Sequence, residues 1–470
     1  MSRRKYLHTI FENKSSKIES YLTTDNQPIV IKKYKDDENG INASTLIEMS
    51  VLQSLKQHKH IVQLLGIENK IHDNDKISTQ LILSHHKTDL NNFIINTNTE
   101  DRILYFNSVI SQLFRALYIL KQYGIIHADI KPNNILVDYE PDGCPQCYIA
   151  DFGISHYEVL YTCDTSTIYT VNYRPPEICL ESAILCYASD IWALGITMLE
   201  FIINNHVFNF TEGSTTNNEI LNSIFAIVED QYLDVNYILK KYLNDFQYSS
   251  IGIDNIKLLC SMLHVEPNKR PCIETLVDCI TNILPIKTLK RGPLLGYPLI
   301  KVNVYYKCIQ WMISIGTLFK FNFRTIVLCI DIFDRFLANL HILSITELQK
   351  ICCACISISA KLYEYILPVV HDYISITNNL FSVQEFIGME LYIVKKFNYL
   401  MVSSDVEVYI KYLQHLQDPI YVMRNIYNQL KLNKIYACEL SYNNLIHYYN
   451  PPTAQLLYNS FPSAATLYVD

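Results

Sequence analysis

The pattern of apolar and polar positions changes character along the chain. From about residue 6 to 84, short β-branched runs alternate with polar turns, as strands of a small sheet do. Ile29-Val-Ile-Lys32 predicts the end of one strand, and Leu81-Ile-Leu-Ser84 predicts a buried strand that leaves into the polar connection His85-His-Lys-Thr-Asp89. Between them, the stretch from Asn42 to Leu55 carries apolar residues at 46, 47, 49, 51, 52 and 55, which predicts a helix. From Asn91 to about Leu284 the periodicity turns helical, interrupted by Pro141-Asp-Gly-Cys-Pro-Gln-Cys147, which predicts a hairpin tip. Leu284 to Pro298 concentrates Pro, Gly and basic residues in the manner of an interdomain linker, and helix follows helix beyond it. The patterning therefore predicts an α+β first half with a small strand-rich part at 1–84 and a larger, mostly helical part at 91–285, a linker at 286–302, and an all-α remainder.

Composition narrows the classes. A chain of 470 residues is long enough for about three domains, and 49% hydrophobic content excludes a mainly disordered one. The net charge of −7 gives no basic footprint of the kind phosphate backbones require, so no direct nucleic-acid partner is expected. Fourteen cysteines fall well below the density of a secreted disulfide scaffold, and no apolar run follows Met1-Ser-Arg-Arg-Lys5. An intracellular, reduced protein, cytoplasmic or nuclear, is the expectation. Even the run from Ile326 to Leu337 is broken by Asp331, Asp334 and Arg335, so no membrane span is expected. Cys144 and Cys147 form a lone CxxC without a second ligand pair, which favours a structural role over zinc. His85 and His86 are read as solvent-exposed rather than as a metal pair, and Cys352, Cys353 and Cys355 as core residues.

One stretch concentrates chemistry: His127-Ala-Asp-Ile-Lys-Pro-Asn-Asn-Ile-Leu-Val137, followed after a detour by Tyr148-Ile-Ala-Asp-Phe-Gly153. Two acidic residues, an amide and a lysine stand in the order that phosphoryl transfer uses for a base, metal ligands and a charge clamp. The two motifs resemble the catalytic and magnesium-binding loops of protein kinases. The resemblance implies a bilobal fold using ATP and Mg2+, with Asp129 as base, Lys131 on the γ-phosphate, and Asn134 and Asp151 holding magnesium. It further implies that Lys32 grips the α- and β-phosphates and pairs with Glu48 on the following helix. The nucleotide pocket would be lined by Ile18, Val30, Leu83 and Leu136, with Ser84 to His86 along the adenine edge and Asp89 at the ribose. The glycine-rich loop is missing: its place reads Phe11-Glu-Asn-Lys-Ser-Ser-Lys-Ile18, and the first glycine of the chain is Gly40.

Thr170-Val-Asn-Tyr-Arg-Pro-Pro-Glu177 resembles the end of a kinase activation segment. Thr170 with Lys131 points to serine or threonine as acceptor, Glu177 would pair with Arg270, and Asp190 would brace the catalytic loop. Tyr173-Arg174 is similar to the group that includes cyclin-dependent kinases, whose substrates often carry proline after the acceptor. Kinases of that group collect arginines around an activation-segment phosphothreonine; here Thr165 stands at that place, while Ile47, Ala128 and His156 stand at the arginine positions.

Ile330-Asp-Ile-Phe-Asp-Arg-Phe-Leu337, Ser359-Ala-Lys-Leu-Tyr-Glu-Tyr365 and Met389-Glu-Leu-Tyr-Ile-Val-Lys-Lys-Phe-Asn-Tyr399, with Trp311, resemble the cyclin box over 303–400, and 401–470 a shortened second repeat. That resemblance implies that Lys361 and Glu390 hold the regulatory helix carrying Glu48, with Leu46 as apolar anchor. Lys307 and Cys308 stand where substrate-recruiting cyclins show large apolar residues. The chain is thus expected to be a serine/threonine kinase activated in cis by its own cyclin domain, independent of activation-loop phosphorylation, and monomeric. A linker of about 17 residues reaches at most about 56 to 61 Å when extended. An interaction protein that binds cell-cycle or transcription regulators without catalysis is the other reading; the missing glycines and Ala128 favour it, whereas Lys32, Glu48, Asp129, Asn134 and Asp151 favour the enzyme.

Overall fold

The computed structural model describes residues 4–13, 16–37, 40–71, 77–140, 143–157, 168–180, 185–229, 231–278, 302–337 and 345–402, with 406, 410, 413, 419, 420 and 423. The expected linker up to residue 301, nearly all of the expected second repeat, and Thr165 lie outside the described residues. The chain divides into two compact units, the first comprising Met1–Lys35, Ile47–Glu68 and Thr79–Lys287, the second Asp36–Leu46, Asn69–Ser78 and Thr288–Asp470.

The chain begins with β1 (Lys5–Glu12), β2 (Ser16–Leu22) and β3 (Pro28–Asp37), then α1 (Ala43–Ser54), β4 (Leu64–Ile71) and β5 (Ile77–Ser84), the strands forming one sheet of order β1-β2-β3-β5-β4. The sequence reading ended the third strand at Lys32, but β3 runs on to Asp37, because antiparallel pairing with β2 continues through Lys33 and Tyr34. Side chains alternate across a strand. Ile29 and Ile31 pack with Ile82 and Tyr21 on one face, which turns Val30 and Lys32 to the other. The register sets Ile18 opposite Lys32 and Ser20 opposite Val30.

The larger lobe continues with β6 (Thr88–Asp89), α2 (Leu90–Asn96), α3 (Thr99–Gln122), β7 (Ile125–Ile126), β8 (Ile135–Tyr139), β9 (Pro145–Ile149) and β10 (His156–Tyr157). Then come α4 (Tyr187–Ile203), α5 (Asn217–Phe225), the short pair β11 (Val228–Glu229) and β12 (Tyr232–Leu233), α6 (Val235–Tyr242), α7 (Asp245–Ile251), α8 (Ile253–Met262) and α9 (Ile273–Asp278). Asn98 caps α3 by accepting from Asp101 N, and Glu100 and Asp101 oppose the helix dipole in its first turn. α3 is long and apolar enough to cross a membrane by length and composition, yet half of that window is buried inside the protein. Its buried Arg102 donates to Ile94 O, Thr97 O and Ile202 O, so a cation in the core is satisfied by carbonyls. The expected hairpin tip is shorter than its motif, since Pro145 to Cys147 pair within β9 against β8. Cys147 is fully buried, and burial pushes its thiol up to about 12. Glu177 takes a bidentate pair from Arg270, at 2.8 and 2.7 Å.

The second unit holds α10 (Val302–Leu318), α11 (Phe323–Leu337), α12 (Ile345–Tyr363), α13 (Val370–Ile376) and α14 (Val383–Lys396). α11 is buried along nearly its whole length, packed with α10 and α12. A β-carbon on Gly316 would approach Ile326 Cγ1 to 2.7 Å, so the absent side chain is what lets α10 lie this close to α11. The charges inside are answered locally: Tyr305 Oη donates to Asp334 at 2.7 Å, and Arg335 meets Asp331 at 2.8 Å. Cys352, Cys353 and Cys355 are fully buried core residues.

Candidate active site

The centre of the first unit is an ion triad. Lys32 Nζ on β3 lies 2.8 Å from Glu48 Oε2 on α1 and 2.8 Å from Asp151 Oδ1 in the loop after β9. Burial works against the lysine's charge, but Glu48 and Asp151 more than offset it and raise its pKa. Burial, aided by the charge of Asp151, pushes the Glu48 carboxyl up to about 7 against the pull of Lys32. Asp151 itself is held below the usual carboxylate range, chiefly by Lys32 and against burial. Its φ of 65° is the left-handed region that side chains rarely adopt, a strain of the kind that clusters at functional sites. α1 has a second tie to this region, since Ser50 Oγ and Tyr157 Oη on β10 are 3.0 Å apart and buried.

A second cluster forms on the catalytic-loop motif. Asp129 Oδ2 lies 2.7 Å from Lys131 Nζ and accepts from Asn134 Nδ2 at 2.7 Å, while the same amide donates to Asp129 O at 2.9 Å. Thr170 Oγ1 donates to Asp129 Oδ1 at 2.7 Å and accepts from Lys131 Nζ at 2.7 Å. With both amide hydrogens turned to Asp129, the oxygen of Asn134 is the atom left to ligate a cation. The loop is braced from below by Asp190 on α4, which accepts from His127 N at 2.7 Å, Ala128 N at 3.0 Å and Tyr169 Oη at 2.9 Å. Among the described residues no group of three or more His, Cys, Asp or Glu side chains forms a metal cage.

The remaining positions expected around a nucleotide are distributed as follows. Ile18, Val30 and Leu136 are half-buried and Leu83 is buried. Strand pairing sets Asp89 beside Leu136. Asp89 caps α2, with Asn92 N at 2.8 Å on Oδ1 and Asn92 Nδ2 at 2.7 Å on Oδ2. Ser84 N donates to Gln63 O at 2.9 Å. His86 is not the solvent-exposed residue expected: its side chain is 7% exposed. The ring bridges Ser84 Oγ at 2.9 Å and Asp138 Oδ2 at 2.8 Å, and rests on Tyr148. Burial lowers its pKa, with Asp138 opposing. Where the glycine-rich loop is missing, Asn13 closes the β1–β2 hairpin through Asn13 N to Ser16 O at 3.0 Å and Ser16 N to Asn13 Oδ1 at 2.7 Å.

In the second unit, Lys361 Nζ on α12 lies 2.9 Å from both oxygens of Glu390 on α14, and Ser357 Oγ donates to Glu390 at 2.5 Å. Gly40, also in this unit, sits against that pair with φ +83°, so close that a β-carbon would fall on Glu390 Oε2. Leu46 is fully buried. The sequence reading singled out neither Gly40, Tyr157 nor Tyr169 for a role. A lone glycine three residues before a helix start was the available signal for the first; the two tyrosines had none, because their partners are distant in sequence.

The protein kinase domain family matches residues 13–279, and the N-terminal domain of cyclins matches residues 291–402. Cyclin-dependent kinase B2-1 of Arabidopsis thaliana is 26% identical over 259 residues, covering 52% of this chain and 81% of that one. Cyclin-dependent kinase E-1 of the same plant is 29% identical over 288 residues, with 53% and 59% covered. Among solved structures, the CAK complex from Chaetomium thermophilum bound to ATP-gamma-S aligns with a TM-score of 0.47 at 22% identity, covering 58% of this chain and 89% of that one.

Proposed function

Because this chain belongs to the protein kinase family and joins a cyclin domain to its kinase domain, we propose that it moves the ATP γ-phosphoryl group to serine or threonine hydroxyls of proteins, under the control of its own cyclin domain. The observation that carries the reading is the assembled ion triad, with Lys32 Nζ 2.8 Å from both Glu48 and Asp151. A lysine so paired holds its ammonium where the α- and β-phosphates pass, and its charge is secure because two carboxylates favour it. Asp129 Oδ1 already accepts a hydroxyl proton from Thr170; a substrate hydroxyl presented there would give up its proton to the same oxygen. Lys131, 2.7 Å from Asp129, supplies positive charge beside the transferring group. The Ser84 carbonyl and the His86 backbone would take the adenine edge.

Asn134 and Asp151 fit magnesium, which takes one or two protein oxygens and completes its octahedron with phosphate oxygens and water. When bound, the ion would neutralise charge on the phosphates. The chain's own part is to keep Asp151 ionised, which Lys32 does, and to orient the Asn134 oxygen through its two bonds to Asp129.

A preference for proline after the acceptor follows from the activation segment. Tyr169 has φ 61°, and its carbonyl accepts from Arg174 Nη2 at 3.0 Å. That carbonyl is thereby unavailable to a substrate N–H, and proline is the residue that has none. Control by the cyclin domain is supported by the composition of the second unit, which draws Asp36–Leu46, the approach to the helix of Glu48, together with Lys361 and Glu390. Incubation of the full chain with labelled ATP and magnesium tests the reading. Phosphate transfer is expected, and Asp129→Asn should reduce it about a hundredfold or more. Transfer that persists in the variant, or never appears in the parent with generic basic substrates, favours the interaction protein.

A further inference from the structure

The residues leading into Thr170 need something to hold them, and charge on phosphate is not what this chain is built to use. No arginine stands at 47, 128 or 156: Ile47 is apolar, Ala128 is a fully buried methyl at φ 65°, and burial lowers the imidazole of His156 to about 4, which leaves it uncharged near neutrality. Tyr169 occupies the position immediately before Thr170. It is 1% exposed, and its hydroxyl donates to Asp190 Oδ1 at 2.9 Å. The same carboxylate oxygen accepts from Ala128 N at 3.0 Å, and its other oxygen from His127 N at 2.7 Å. One buried carboxylate therefore fixes both the catalytic loop and the segment that faces it. The backbone on either side of the ring is held as well, since Arg174 donates from Nε to Ile168 O at 3.0 Å and from Nη2 to Tyr169 O at 3.0 Å. The next residue, Thr170, reaches Asp129 and Lys131 at 2.7 Å each. A bulky residue in the left-handed region is strained, and persists only where its surroundings over-determine it; here the hydroxyl and the two carbonyls do so.

We propose that Tyr169 is a positioning residue: through its hydroxyl on Asp190 it orders the activation segment against the catalytic loop in the unmodified protein, the task that a phosphorylated side chain read by arginines would otherwise perform. The proposal rests on the kinase reading above. It acts on the alignment of Thr170, Asp129 and Lys131 with a hydroxyl substrate, and leaves the Lys32 triad untouched.

The test is steady-state kinetics of the full-length Tyr169→Phe variant with a peptide substrate. Loss of alignment at the reacting groups should lower kcat by at least about tenfold, while the KM for ATP stays within about twofold because the hydroxyl that is removed bonds to Asp190 and not to a residue assigned to the nucleotide. In the background of Asp190→Asn the same substitution should cost much less, since the shared bond is already altered. A variant whose kcat stays within about twofold of the parent overturns the proposal and leaves the kinase reading standing. A folded parent that transfers no phosphate overturns the kinase reading beneath it. Should Tyr169→Phe fail to fold, the parent decides: phosphatase treatment to an unmodified intact mass must leave kcat unchanged, and a tenfold fall overturns the proposal.

Discussion

Glu48 shows how one buried carboxylate couples charge, stability and chemistry. Its pKa of about 7 lies above the ordinary 4.5, with burial as the main cause. A carboxyl whose folded pKa is raised binds its proton more tightly in the folded state, so its stabilising contribution is full below about pH 4.5 and declines as pH rises through about 7. The catalytic need runs the other way, because only the ionised form completes the pair with Lys32. Activity is therefore expected to rise between pH 6 and 8 with a midpoint near 7, and Glu48→Gln should give low activity without that limb. A pH–rate profile of kcat for the two proteins checks this, and an unchanged limb in the variant contradicts it. Lys32, Glu48, Asp129 and Asn134 were legible in sequence because their motifs are local and ordered. The burial of His86 was not, since it depends on Asp138 and Tyr148, which reach it from β8 and β9.

At the scale of elements, the activation segment and the approach to α1 carry the consequences. Arg174 donates to the Tyr169 carbonyl; under the proposed substrate placement an N–H after the acceptor would be left unpaired, at a cost of about 1–3 kcal/mol when buried. Replacing proline by alanine at that peptide position should lower kcat/KM on the order of tenfold to a hundredfold; equal values would contradict the assignment. Gly40 permits a left-handed turn against Lys361 and Glu390. Gly40→Ala adds backbone strain of about 1–3 kcal/mol and a clash with Glu390 Oε2, and should lower the urea midpoint of the full chain. An unaltered midpoint would contradict that packing. The sequence supplied α1 and its bounds to within a residue through apolar spacing, but not the latch of Ser50 on Tyr157, which joins residues 107 positions apart.

For the whole molecule, the second unit is assembled from separated parts of the chain, with Asp36–Leu46 and Asn69–Ser78 grouped with everything after Thr288. Within it Asn69 Nδ2 donates to Tyr399 Oη at 3.0 Å. A covalent tether keeps such parts at an effective concentration up to about millimolar. Cutting the chain at a protease site engineered between residues 286 and 301 should therefore leave activity intact at high protein concentration and make it fall on dilution, whereas the uncut chain keeps constant specific activity. Dilution curves of the two forms check this; a cut form that is indifferent to dilution would show that the tether contributes nothing.

By itself the sequence determined the kinase and cyclin domains, their order along the chain, and the motifs to which phosphoryl chemistry is assigned by proposal, because each of these is written in a short run whose spacing survives without knowledge of the fold. Tertiary structure alone decided how those residues are held. The joint bracing of loop and activation segment by Asp190, the placement of Tyr169, the second tie on α1, and the seat of Gly40 on Lys361 and Glu390 all depend on groups brought together from distant parts of the chain. Hydrogen-bond partners separated by tens to hundreds of residues leave no periodic trace in a sequence, and burial, which sets the pKa of Glu48 and His156, exists only once the core has closed around them.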